Sequence, residues 1–202
     1  MLVECGLLRV TAGDGTEATF RPSLGRIASL DTPNGLVDLF ARLHGPLAHQ
    51  VAPEILAGLC DPEDCEALSS LIGEPEPAPQ GVEWRGGAIP PSERVILARH
   101  LMLHGMVGKA KPGGESKAER GDYSGAFHAL EYITAARVHL GMSAEEAEAL
   151  SMTEFQRLFE MKFPEKDQPG YADAPTREEY EAGMRAFEEL KRRRAEGMAD
   201  HG

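Results

Sequence analysis

The sequence lacks any apolar run long enough to cross a membrane. Its 202 residues are 42% apolar and 27% charged, yet no stretch approaches the roughly 20 consecutive apolar residues that a bilayer span needs. The first residues, MLVECGLLRV, carry a glutamate and no basic cluster, which is the reverse of a secretion signal. We therefore expect a globular protein with no membrane partner that acts in the cytosol where it is made.

Positive charge is also scarce. The chain has 33 acidic side chains against 21 lysines and arginines, which gives a formal net charge of -12. Because proteins bind nucleic acid by displacing counterions with lysine and arginine, this excess disfavours a nucleic-acid partner. The cations of KRRRAEG, near the C-terminal end, are typical of a helix end whose dipole favours positive charge.

Cysteine is rare, and the patterns that would hold a metal are incomplete. Three cysteines leave one unpaired under any disulfide scheme, and the widely spaced Cys60 and Cys65 have no second ligand pair downstream. His100 and His104 are one helical turn apart without a third ligand, and the glycines of AGDGT lack the lysine of a phosphate loop. We predict no metal, no cofactor and no catalytic residue, so the protein is not expected to be an enzyme.

The signals that are present belong to a β-hairpin and a series of helices. The runs VECGLLRV and TEATFRP flank the turn TAGDG and predict an N-terminal hairpin. A cap residue followed by proline marks helix starts at Thr32 and Asp61, and Pro90-Pro91 opens a longer helix. The closely spaced prolines of residues 73–81 predict a loop or linker, and VEWRGGAI permits a short strand.

A stretch rich in glycine and charge, KAKPGGESKAERGD, sets the predicted domain division. We expect a mainly α fold, with an N-terminal β-hairpin followed by a helical domain and a helical C-terminal region. The predicted parts are 1–108 (hairpin plus helical domain), 109–122 (flexible linker or loop) and 123–202 (C-terminal helical region).

Capping patterns mark three helix starts after this stretch, because a hydroxyl and a later acidic or amide side chain can satisfy free helical N–H groups reciprocally. The pairs are Ser143 with Glu146, Thr153 with Gln156, and Thr176 with Glu179. In the helix before them, helical spacing places four apolar positions on one side. These are Phe127, Leu130, Ile133 or Thr134, and Val138.

The segment SMTEFQRLFEMKFP carries a stripe of phenylalanine and methionine at helical intervals. Two interpretations stay open for it: Phe155 and Phe159 can face neighbouring helices as core, whereas Met161 and Phe163, near the helix end, suit a partner. Phenylalanine offers a large contact area and methionine adapts its shape to varied partners. The full set of partner-binding candidates is Phe155, Met161, Phe163, Tyr180, Met184, Phe187 and Leu190.

Three runs in the chain resemble proteins encoded in the tail-gene clusters of long-tailed bacteriophages and prophages. The runs are TFRPSLGRIASLDTPNGLVDLFARLHG, ERVILARHLMLHGMVG and GAFHALEYITAARVHLGMSAEEAEALSMTEFQRLFEMKFPE. They are similar to the tail assembly chaperones encoded near the tape-measure gene. The resemblance covers most of residues 16–166 and rests on packing and capping patterns. The helix predicted from Thr176 has no counterpart in it.

The resemblance implies a non-enzymatic role in the cytoplasm of a bacterial host. Such a protein coats the long, helical tape-measure protein and delivers the major tail protein, which forms the tail tube, to it. Self-association stays open. Two other roles also stay open: a tail-completion or connector component of the virion, and a phage protein that binds and regulates a host protein.

Overall fold

The structure is a computed structural model in which residues 3–78, 81–108 and 125–164 are described. Eight α-helices and two small antiparallel sheets account for most of these described residues. The predicted fold class, mainly α with an N-terminal hairpin, is therefore confirmed.

The N-terminal sheet has three short strands in the order β1-β2-β3. The predicted first strand is broken at Cys5 and Gly6, whose φ angles of 52° and 91° lie in the left-handed region and reverse the chain. Leu8 pairs with Phe20 across the hairpin, and both side chains are fully buried. The strands are Val3–Glu4 (β1), Leu7–Thr11 (β2) and Glu17–Phe20 (β3).

Five helices follow and enclose the larger of two cores. Helix α2 begins as predicted, because the Thr32 hydroxyl accepts the Gly35 N–H and Pro33 occupies the first helical position. The helices are Leu24–Leu30 (α1), Pro33–Leu43 (α2), Ala48–Leu59 (α3), Cys65–Ile72 (α4, after a 3₁₀ turn at Pro62–Asp64) and Pro91–Met102 (α5).

Helix α3 was not anticipated from the sequence. It lies in the larger core, where seven of its twelve residues are buried. It also contains Pro53, which removes one helical hydrogen bond and usually indicates a break. Burial of Val51, Ile55 and Leu56 on the same helix offsets that loss.

Residues 74–78 form a strand in place of the loop or linker predicted for 73–81. Strand β4 (Glu74–Ala78) pairs antiparallel with β5 (Gly81–Arg85), and the latter confirms the short strand that VEWRGGAI permits. Pro75 and Pro77 lie two positions apart, so their nitrogens, which carry no hydrogen, both face the outer edge of the sheet. The residues that alternate with them form the backbone hydrogen bonds to β5. Proline is compatible with such an edge strand, and it blocks pairing with a further strand.

The last helices form the smaller core. Helix α5 continues into a π-helical turn at Leu103–Val107, and the chain is described again from residue 125. The later elements are Ala129–Ala135 (α6), a π-helical turn at Ala136–Leu140, Ala144–Ala149 (α7) and Met152–Lys162 (α8). The smaller core is composed of Leu24, Ile133, Ala136, Ala147, Leu150, Met152 and Phe155.

Helix α1 joins the two cores, since Leu24 belongs to the smaller one and Ile27 to the larger. Residues Met1–Phe163 accordingly make one compact unit, and a second unit begins at Pro164. Helices α6 to α8 thus share a unit with the hairpin, whereas the sequence division assigned them to a separate C-terminal region. The predicted linker, 109–122, lies outside the described residues.

The capping patterns of the C-terminal helices have different outcomes. Ser143 and Glu146 form the predicted capping box of α7. The prediction of Thr153 with Gln156 is wrong: Ser151 and Glu154 cap α8, and Thr153 is already inside the helix, buried and bonded to His104. The third pattern, at Thr176, lies outside the described residues.

Candidate partner-binding surface

Two large apolar side chains project from α6 and the π-helical turn after it. Leu130 is 68% exposed and Val138 is 69% exposed. Leu130, Thr134 and Val138 share one side, as one of the two predicted alternatives has it, but that side is exposed. The helical segment buries Ala129, Ile133 and Ala136 instead. Because alanine allows close approach of neighbouring backbones, the small residues lie inside and the large ones remain outside.

Leu130 and Val138 border a shallow groove that runs along the outside of this helical segment. The groove has a volume of about 420 Å³, and its walls combine apolar side chains with one carboxylate and one imidazole. Its lining residues are Leu130, Glu131, Thr134, Ala135, Val138 and His139. An apolar groove of this kind can accept the apolar stripe of a second helix.

A row of aromatic rings on α8 meets one end of this groove. Phe155, Phe159 and Phe163 follow one another with their rings tilted, and the ring centroids are 5.5 Å and 4.9 Å apart. His139 approaches both Phe159 and Phe163 edge-on, at 6.2 Å in each case. The imidazole therefore connects the groove on α6 with the phenylalanine row on α8.

We call the combined feature the α6–α8 surface. Its members share exposure, or partial exposure, on these two neighbouring elements. They are Leu130, Val138, His139, Phe159 and Phe163. Residues 125–164, which contain this surface, carry six carboxylates against three lysine and arginine side chains, and Glu131 lines the groove itself.

The partner-binding candidates from the sequence fall into different places. Phe155 is only 7% exposed and belongs to the smaller core, so it is not available to a partner in this conformation. Phe163 is 46% exposed and lies on the α6–α8 surface, as predicted for a residue near the helix end. Phe159 packs on the smaller core while remaining partly exposed.

Met161 is 80% exposed, but it does not share a patch with Phe163. Residues two positions apart on an α-helix point about 200° apart, which places Met161 on the opposite flank of α8. The remaining candidates, Tyr180, Met184, Phe187 and Leu190, lie outside the described residues. The sequence analysis also missed His139, which no apolar pattern could single out.

The residues considered for metal binding do not assemble a site in the described part of the chain. His100 and His104 lie side by side, with ring centroids 4.6 Å apart. His104 Nδ1 shares a hydrogen bond of 2.7 Å with Thr153 Oγ1. Within the described ranges, no group of three or more histidine, cysteine or acidic side chains is arranged to hold a metal ion.

Two of the cysteines form hydrogen bonds to the backbone. The thiols of Cys60 and Cys65 both donate to the carbonyl oxygen of Asp61, at 3.5 Å and 3.6 Å. Burial raises the pKa of Cys60 to about 12, with a further contribution from neighbouring Cys65, Asp64 and Asp61. A thiol in this state is a poor nucleophile, because the thiolate is the reactive form.

The fold and surface define a small helical protein with an exposed apolar face, and no helix among its described residues is long and apolar enough to span a bilayer. The chain belongs to the family of unknown function DUF6246, whose model matches residues 47–182. The matched range begins just before α3 and includes the whole α6–α8 surface. No curated protein and no solved structure matches the chain.

Proposed function

We propose that the protein is a non-enzymatic assembly chaperone that uses the α6–α8 surface to bind an apolar stripe on a helical client. The observation that carries this proposal is the exposure of Leu130 and Val138 beside Phe163. Large apolar side chains that cluster on a surface usually mark an interaction site, whereas scattered ones need no explanation. Here His139 connects them into one feature.

The dimensions of the surface favour a helical client. Leu130 and Val138 are eight residues apart, which corresponds to about 12 Å along a helix axis. A client helix lying along this groove would present side chains at positions i, i+4 and i+7 over the same length. The phenylalanine row then meets the end of the client stripe at Phe163.

The charge of the chain supports the same role. A net charge of -12 keeps a protein that exposes apolar side chains dispersed in solution. Glu131 in the groove wall also favours a client whose apolar stripe is flanked by lysine or arginine. A complex of this kind would stay soluble while the client's apolar stripe is covered.

The sequence resemblance identifies the client that we propose. It makes the tape-measure protein of a long-tailed phage the helical client and the major tail protein the subunit that is recruited to it. It also places the protein in the cytoplasm of a bacterial host. No step of this role requires a catalytic residue, metal or cofactor.

The test is co-expression of the full chain with the tape-measure protein, followed by measurement of soluble client and of the copurified complex. Val138→Asp and Leu130→Asp should each reduce the recovered complex by about tenfold or more, since a charge in an apolar contact costs well over 1.4 kcal/mol. Met161→Asp is the matched control, because it places the same charge on the opposite flank of α8.

Each outcome of this experiment decides between roles. Equal recovery for all three variants would reject the α6–α8 surface as the docking site. If the wild-type chain leaves the client insoluble and instead copurifies with finished particles, it is a virion component. Capture of a host enzyme in place of the tape-measure protein would identify a host-directed regulator.

A further inference from the structure

The contact between α8 and the π-helical turn after α5 contains an unusual concentration of basic side chains. His104 in that turn forms a hydrogen bond with Thr153 in the first turn of α8, and Thr153 is only 2% exposed. Arg157, one helical turn further along α8, is close enough to act electrostatically on His104. The ring of His100, one turn earlier in α5, lies 4.6 Å from the His104 ring and is tilted against it.

The other contacts around His104 leave little room for it to move. Gly6, in the turn between β1 and β2, lies so near that a Cβ there would be 2.4 Å from His104 Cβ. The neighbouring thiol, Cys5, accepts a hydrogen bond of 3.2 Å from Arg157 Nη1. Gln156 Nε2 donates to the Val107 carbonyl at 3.1 Å and holds the next position of α8 on the turn.

The charged groups acting on His104 are therefore basic on both sides. From its own segment it meets His100, and from α8 it meets Arg157. The turn from β1 to β2 contributes the Cys5 thiol, and the nearest acidic residue of α8, Glu154, is engaged in the capping box with Ser151. In the described part of the chain, the buried Nε2 of His100 has no hydrogen-bond partner.

From this arrangement we infer that the His100–His104 pair is a pH-sensitive latch, which loosens α8 from the rest of the unit when the pH falls below neutrality. The hydrogen bond to Thr153 is not the sensitive part, because a hydroxyl can accept from a protonated imidazole as well as donate to a neutral one. The cost comes from placing positive charge in a partly buried site beside Arg157 and a second imidazole. Opening of α8 would separate His104 from Thr153 and Arg157 and hydrate its ring.

The direction of the effect follows from proton linkage. Burial lowers the pKa of His100, and burial together with His100 and Arg157 lowers the pKa of His104, relative to the ordinary value of 6.5. The opened state therefore binds more protons than the closed state as the pH falls below 6.5, so closure weakens over that range. Well above 6.5 both states are neutral at these rings, and the pair contributes no pH dependence.

Hydrogen exchange of the full chain at pH 7.5 and pH 5.5, corrected for the intrinsic rate at each pH, tests this latch without any client. Its result is thus separate from that of the proposed function. We expect protection of α8 amides to fall at pH 5.5 by at most about tenfold, the limit that one imidazole sets over one pH unit below its free pKa when it stays neutral in the closed state. Amides of α3, which packs on α5 in the larger core, should change much less, because opening of α8 leaves that contact in place.

A double variant, His100→Phe with His104→Asn, removes the titrating groups while retaining a ring at position 100 and an amide able to bond to Thr153. Its α8 protection should be equal at the two pH values. His49→Asn, at an exposed position on α3, is the matched control and should behave as wild type. A pH-dependent loss of protection that persists in the double variant would assign the effect to other groups and overturn the latch.

Direct titration of the two imidazoles by NMR gives a readout that does not depend on the variants folding. Values at or above 6.5 for both rings in the wild-type chain would overturn the inference. So would wild-type α8 protection that is the same at both pH values.

Discussion

The core beneath the N-terminal hairpin consists largely of leucine, isoleucine and valine, whereas the core under α6 depends on alanine for its closest contacts. In the described residues the first contains 21 buried side chains and the second only 7. Because burial of apolar area is the main stabilising term, the larger core contributes most of the stability of the unit. The smaller one is therefore the part expected to open first.

The smaller core is also the one that leaves large apolar side chains outside. Ala136 and Ala147 are fully buried, while Leu130 and Val138, on the same helical layer, are mostly exposed. Gly25 of α1 lies so near α7 that a Cβ would be 3.2 Å from Glu148 Cβ, which shows how closely these backbones approach. Close packing through small residues thus releases the larger ones for a partner.

Truncation of one large side chain in each core is the strongest test of the difference between the larger and the smaller core. Leu56→Ala, in the larger core, should lower the free energy of unfolding by about 4 kcal/mol, and Phe155→Ala, in the smaller one, by about 3 kcal/mol. We expect Leu56→Ala to raise hydrogen exchange throughout the unit, since the larger core contributes most of its stability. Phe155→Ala should raise it mainly in α6 to α8.

Denaturant unfolding gives the two free energies, and native-state hydrogen exchange gives their distribution. If Phe155→Ala raised exchange equally in α3 and α8, the two cores would form a single cooperative unit. The smaller core would then not open separately, and the comparison drawn here would fail.

The N-cap residues of α7 and α8 give a second test, in which the expected changes in the free energy of unfolding are smaller. Ser151 caps α8 and is 2% exposed, whereas Ser143 caps the neighbouring α7 and is exposed. Ser151→Ala should cost about 1.5 kcal/mol, and Ser143→Ala about 0.5 kcal/mol, because a buried N–H that loses its acceptor cannot turn to water. Equal losses in thermal unfolding would mean that the N-terminus of α8 is hydrated in solution.

Local signals account for the parts of the fold that the sequence predicted. The hairpin turn, the cap at Thr32 and the capping box at Ser143 each depend on residues within a few positions of one another. Helix α3 and the strand β4 depend on distant packing, which overrides the usual meaning of Pro53 and Pro75. Local propensity cannot anticipate such an override.

The candidate surface was predicted only in part for a similar reason. Phe163 could be placed near a helix end from the sequence, and it is partly exposed there. Leu130 and Val138 were assigned to one side of the helix from the size of their side chains and their helical spacing alone. Which side of α6 is buried depends on the small residues of α1 and α7, and their contribution appears only in three dimensions.

The smallest expected effects distinguish the two flanks of α8. Phe163 is half exposed and its ring contacts His139 and Phe159, so Phe163→Asp removes two aromatic contacts and should cost about 1 kcal/mol of stability. Met161 is 80% exposed, so Met161→Asp should change the free energy of unfolding by less than about 0.5 kcal/mol. Chemical denaturation of both variants measures the difference.

A loss above about 2 kcal/mol for Met161→Asp would show that this flank of α8 is covered in solution. Met161 would then belong to a further covered apolar contact of α8. In that case Met161→Asp could no longer serve as the neutral control for client binding.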